Sequence, residues 1–201
     1  MSRIKLSPGL QFFGNLVDLD CHIQDLKLVL RKTEEIEFPD HEDSIEGESL
    51  IADIFPDITR KGFVVTLLIA LDDQFKVYCE ILKEATGQKL KWNDLKGSAI
   101  ERFITYSEKV CGLKSVCDDS IRQKVAALIE VRNCIVHNNS SIEGFSKKQV
   151  VESFSKKTEG IDIQEGYIVL ELVACNNFAD LVLEFMKKAY RSALEVFPYE
   201  H

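Results

Sequence analysis

The chain has 201 residues and a mass of 22.9 kDa, which suits one domain, or one domain with an appendage, and excludes two large ones. Hydrophobic residues make up 45% and charged residues 29%, the balance of a folding globular chain and not of a disordered or fibrous one. The longest apolar run, Phe63 to Leu71, falls well short of the roughly 18 residues that span a bilayer, and no apolar stretch with a cleavage site follows Met1-Ser2-Arg3-Ile4-Lys5. The expected compartment is therefore the cytoplasm, with no membrane partner.

The formal charge of −8 is unevenly spread, because ten acidic residues and no Lys or Arg lie between Glu34 and Asp57. That segment reads as a solvated helix edge and loop. The rest carries 25 basic against 23 acidic residues, so tight non-specific nucleic-acid binding is not expected, while a local contact with phosphate is allowed. Six scattered cysteines without a C-x-x-C pair read as reduced, buried small hydrophobes, and neither a metal nor a cofactor is implied.

Helical periodicity runs through almost the whole chain. Leu16, Leu19, Ile23, Leu26 and Leu30 predict an amphipathic helix near 10 to 33, with a break at Phe38-Pro39. A short helix near 44 to 54 is expected to end before Pro56. Asp57 or Thr59 then caps a long helix that is buried all round in its first half, continues through Leu68, Leu71, Phe75, Tyr78 and Leu82, and ends at Gly87. Asn93 is the expected cap of a helix carrying Ile100, Phe103, Ile104, Ser107 and Val110 up to Gly112. Capping boxes Ser120/Gln123 and Ser146/Gln149 predict two more helices. Ile161, Ile163, Tyr167 and Val169 alternate around Glu165-Gly166, which predicts a small extended hairpin near 160 to 170, and a last helix runs near 173 to 197. The fold class is mostly α, a helical bundle with one small hairpin. Residues 1–57 form an N-terminal helical extension with the acidic segment, and 58–201 form the bundle.

Chemistry concentrates in the helix near 120 to 137. At about 100° per residue, Arg132 falls inside the stripe of Ile121, Val125, Leu128, Ile135 and Val136. A cation there must pair with an acid, bind an anion or face a cleft, because an unpaired buried charge costs several kcal/mol. Asn133 and His137 share the adjoining face, and His137 ends the helix. Asp72 and Asp73 can either pair with Arg132, orient it, or form an exposed turn.

Arg132-Asn133-Cys134-Ile135-Val136-His137 is an R-x(4)-H pattern with a polar residue after the arginine, continued by Asn138-Asn139. Here the sequence resembles the HEPN superfamily of helical bundles, in particular short stand-alone bacterial members from prophage and defence contexts. The resemblance covers residues 58 to 137 plus the last helix. It implies an RNA endonuclease acting as a toxin or defence effector that works without metal, by attack of the ribose 2′-hydroxyl on the adjacent phosphate. Arg132, Asn133 and His137 would be the catalytic residues: Arg132 to clamp phosphate oxygens, Asn133 to orient phosphate or imidazole, and His137 to transfer protons. Members silenced by a modifying antitoxin carry a tyrosine two residues after the histidine, where this chain has Asn139, so that mode of regulation is not expected.

RNA is the expected partner. A homodimer joined through the Arg132 face would supply two copies of His137, and a regulatory protein or antitoxin would be a further partner. Lys147, Lys148, Lys156 and Lys157, from two Phe-Ser-Lys-Lys copies, would steer RNA. Trp92 and Tyr106 are candidates for base stacking or plain packing. The alternative to an enzyme is a catalytically silent HEPN-like module that holds a nucleotide or a protein.

Overall fold

The computed structural model describes residues 6–36 and 47–199, with side chains in the second stretch from residue 54 onward. The break expected at Phe38-Pro39 and the acids Glu37, Asp40, Glu42, Asp43 and Glu46 lie outside the described residues. Helix accounts for 72% of the structure, and the described residues form six α-helices and one two-stranded antiparallel hairpin. The mostly α fold class with a small hairpin is therefore what the chain adopts.

Helix α1 (Pro8–Glu34) opens with Pro8 in the first turn, where a missing N–H costs nothing, and the Ser7 hydroxyl accepts the Leu10 N–H at 3.3 Å. It buries Phe12, Leu19, Ile23 and Leu30. Helix α2 (Gly47–Thr86) corrects the expected break at Pro56, which sits inside a continuous helix. Proline removes one backbone bond there, but its fixed φ is helical, and the burial of Phe63, Val64, Leu67 and Leu68 beyond it holds the helix together. Asp57 does not cap; it pairs with Lys61 one turn on, at 2.7 Å. The first half of α2 is not buried all round either, since Ile58, Gly62 and Thr66 are exposed. Gly87, at φ 68°, ends the helix as expected.

A 3₁₀ turn (Trp92–Asp94) follows, and α3 (Ala99–Thr105) starts at Ser98 and not at Asn93. The reason is a reciprocal capping box, in which Ser98 Oγ accepts the Glu101 N–H and Glu101 Oε2 accepts the Ser98 N–H. The chain then widens into a π turn (Tyr106–Val110) that stops at Gly112. Helix α4 (Asp119–His137) begins ahead of Ser120, so the Ser120/Gln123 box does not form its cap. Helix α5 (Lys148–Ser155) likewise starts after Lys147, with no side-chain cap from Ser146. Strands β1 (Ile161–Gln164) and β2 (Tyr167–Leu170) pair with Ile161 opposite Leu170. The turn between them puts both Glu165 (φ 51°) and Gly166 (φ 84°) in the left-handed region, the signature of a tight hairpin turn. Helix α6 (Leu172–Val196) completes the chain.

The residues fall into two compact units. One holds residues up to His22, Ile69–Ala126 and Leu181 onward; the other holds Ile23–Leu68 and Ala127–Asp180. The core of the first is aromatic: Phe75 stacks on Phe103 at 4.3 Å, Tyr78 lies 5.2 Å from both Phe12 and Tyr190, and the buried Tyr78 hydroxyl donates to Ala189 O. Burial pushes the Tyr78 phenol well above its ordinary pKa. In the second unit Phe63, Val64, Leu67, Val151, Phe154, Ile168 and Phe178 are buried. There Glu34 departs from the solvated reading of the acidic segment: its carboxylate takes two hydrogen bonds from the Arg60 guanidinium, and Arg60 Nη1 also donates to Leu170 O at 3.1 Å. The paired carboxylate raises the pKa of Arg60 above its ordinary value. Of the cysteines, Cys79, Cys134 and Cys175 are buried as expected and burial pushes the Cys175 thiol up to about 12, whereas Cys21 is exposed. No helix of the described residues is long and apolar enough to cross a membrane.

The capping box gives a direct stability expectation. Ser98→Ala removes the oxygen that accepts the Glu101 N–H and should cost about 1 kcal/mol, read as a fall of roughly 2–4 °C in Tm, whereas Asn93→Ala should leave Tm unchanged.

Candidate functional site

The second unit carries the motif on the last three turns of α4. Leu128, Val131 and Cys134 are fully buried there. Arg132 does not lie in the middle of the buried stripe, as the sequence pattern had it. Ile121 and Val125 set the inward direction early in the helix, but near its end that direction has rotated to Val131 and Cys134, and Arg132 is left half-buried. The cause is the segment that follows. The Cys134 thiol donates to Ser141 O at 3.1 Å, and the Ser140 N–H returns to Cys134 O at 3.1 Å, so the chain after the helix folds over the Cys134 side. Burial raises the Cys134 thiol above its ordinary pKa.

The face left open holds Ile129, Arg132, Asn133, Val136 and His137. Val136 is 44% exposed, against the expectation that it is core, and His137 is exposed as the last residue of the helix. Arg132 Nη1 donates to Asn133 Oδ1 at 3.3 Å, and Asn133 Nδ2 donates to Glu130 Oε2 at 3.4 Å. Asn133 therefore links the arginine to a carboxylate through one amide, whose two ends present opposite hydrogen-bonding character. Glu130 is the member that sequence reasoning missed. The only signal for it is its position three residues before Asn133, a spacing found on every helix. Among the described residues no carboxylate forms an ion pair with Arg132, which leaves most of its five donors for an anion.

His137 is fixed from behind. Asn138 Nδ2 donates to the carbonyls of Ser141 and Glu143, and Asn139 (φ 50°) and Ser140 (φ 63°) take left-handed conformations that are costly without glycine. The segment then pairs with β2: Ile168 N–H donates to Ser140 O at 2.9 Å, Ile142 N–H donates to Gly166 O at 2.8 Å, and Ser141 bridges Tyr167. The Asn138-Asn139 continuation thus turns the chain sharply after His137 and docks it on the hairpin.

The remaining candidates divide between the two units. Asp72 and Asp73 are exposed on the part of α2 that belongs to the other unit. Lys147, Lys148, Lys156 and Lys157 are all exposed, but the two pairs bracket α5, at the ends of about 12 Å of helix, and Lys148 pairs with Glu152. In the first unit Tyr106 is buried and its hydroxyl donates to Leu90 O, so it packs. Trp92 is half-buried beneath the Arg102 guanidinium, 4.9 Å from its ring centroid. Among the described residues no group of three or more His, Cys, Asp or Glu side chains is placed to hold a metal ion. No family model, no curated protein and no solved structure matches the chain.

Proposed function

We propose that this protein is a metal-independent RNA endonuclease of HEPN type, acting as a defence or toxin effector. The observation that carries the reading is the open face of α4, where the half-buried Arg132 forms no ion pair among the described residues, Asn133 ties it to Glu130, and the exposed His137 stands one turn beyond Asn133. In the reaction a 2′-oxygen forms a bond to phosphorus while the bond from phosphorus to the 5′-oxygen breaks. One imidazole takes the 2′-hydroxyl proton, another protonates the leaving 5′-oxygen, and Arg132 neutralises the charge on the non-bridging oxygens.

A single His137 cannot begin one turnover in both protonation states, so a cleft shared by two copies supplies the pair. Ile129 and the exposed Val136 give the open face the apolar surface that such an interface needs. Light scattering at micromolar concentration should accordingly report a dimer, and Val136→Glu should shift it towards monomer and lower cleavage together. A persistent monomer that still cuts RNA would rule out the shared cleft. The reading as a whole is tested by incubating the protein and His137→Ala with total RNA in EDTA. Cleavage that requires His137 is the expected result. Absence of cleavage with nucleotide or protein binding retained would favour the silent module.

A further inference from the structure

The hairpin next to the motif carries an aromatic side chain that the fold does not use. Tyr167 is 50% exposed at the first position of β2, and its side chain makes no hydrogen bond or ring contact among the described residues. Strand β2 alternates exposed Tyr167, buried Ile168, half-buried Val169 and buried Leu170, so Tyr167 belongs to the outward face and is not needed for the core. A large aromatic left on a solvated strand face is a loss of apolar surface to water that packing does not explain.

Its position is nevertheless closely defined. Ser141 bridges Tyr167, and hydrogen bonds from Ile142 N–H to Gly166 O and from Ile168 N–H to Ser140 O flank that bridge on both sides. Ser141 N–H in turn closes a tight turn on Asn138 O at 2.9 Å, and Asn138 directly follows His137. One peptide unit, a turn of less than about 7 Å and the roughly 4.5 Å spacing of a non-hydrogen-bonded strand pair limit the Cα separation of His137 and Tyr167 to about 15 Å. The left-handed pair Glu165 and Gly166 makes the hairpin tip short, so the ring is carried on rigid backbone and not on a mobile loop.

We propose that Tyr167 contacts the substrate by stacking on a base of single-stranded RNA that flanks the phosphate held at Arg132 and His137. The inference rests on the nuclease reading and extends it to substrate selection. A ring face offers every base a π surface, so stacking adds affinity and favours unpaired RNA without reading a hydrogen-bond code. The same geometry explains why the segment after His137 is sewn to the hairpin: it sets the spacing between the phosphate-binding face and the base-binding ring.

The test uses the full chain carrying His137→Ala, which stops cleavage, titrated in EDTA with fluorescein-labelled single-stranded RNA and followed by anisotropy. Tyr167→Phe on this background should bind within about two-fold of the parent, and Tyr167→Ala or Tyr167→Leu should bind roughly 5- to 150-fold more weakly. RNA carrying one abasic site at the stacked position should bind the parent as weakly as intact RNA binds Tyr167→Ala, and should lose nothing further with that variant. Tyr167→Leu covers the case in which alanine disturbs the strand, because leucine keeps apolar bulk but has no ring. Equal binding by all variants overturns the inference and leaves the nuclease reading standing, as does a Tyr167→Phe variant as weak as Tyr167→Ala. Failure of the parent to bind RNA at all overturns both.

Discussion

Replacing Arg132 by alanine should slow RNA cleavage by roughly 10²–10³-fold, the usual loss when one preorganised donor to a developing anion is removed. Arg132 is half-buried, and its one hydrogen bond among the described residues, to Asn133, is long at 3.3 Å, so little of the fold depends on it. Thermal melting of Arg132→Ala should therefore stay within about 2 °C of the parent. Arg132→Lys keeps the charge but loses the planar fork, and it should recover only a small part of the rate. Asn133→Ala should fall between the parent and Arg132→Ala, because it removes the one side-chain hydrogen bond that guides the guanidinium among the described residues while leaving the charge in place. A fall in Tm of several degrees for Arg132→Ala, with the rate unchanged, would make Arg132 a structural residue and remove the centre of the proposed site.

Substituting 2′-deoxyribose at the scissile position should abolish cutting altogether, since it deletes the nucleophile that the mechanism assigns to the substrate. The chain's own contribution is then confined to charge from Arg132 and proton transfer at the His137 imidazoles. EDTA should leave the rate unchanged, DNA should remain intact, and the upstream product should end in a 2′,3′-cyclic phosphate, visible by mass spectrometry. Cleavage of the deoxy-substituted strand, or a requirement for magnesium, would show that water attacks and that the motif does something else.

The parts of this fold that were legible in the sequence are those set by local pattern. Helices α1 and α6 lie within two residues of their predicted limits because their apolar steps of three and four are strong, and the hairpin was legible from its position around Glu165-Gly166, although Ile168 and Leu170, and not Tyr167 and Val169, share the face of Ile161 and Ile163. Pro56 does not end α2, because the one backbone hydrogen bond it removes is outweighed by the buried residues that follow, which local pattern around the proline does not reveal. At α3 two capping residues competed, and Ser98 won over Asn93 because only Ser98 has an acid three residues on. In the candidate site, Arg132, Asn133 and His137 were marked by their residue types. The rotation of the buried face and the bridge from Ser141 to Tyr167 were not, since each depends on how the chain after α4 folds back, and Glu130 was not because its spacing from Asn133 occurs on every helix.

The stitching of residues 140–142 to 166–168 also bears on how the site comes into being. The last turn of α4 forms from neighbours in sequence, but the clamp behind His137 closes a loop of roughly two dozen residues that includes α5, and its entropy cost is met only when the hairpin is in place. The amide protons of Ile142 and Ile168 belong to the same clamp and are expected to exchange with solvent as one cooperative unit, opening and closing with the site. A chain cut short before Gly166 would keep every residue of the motif and lose the backing that holds it, so on the proposed nuclease reading cleavage should begin only once the hairpin has emerged and folded.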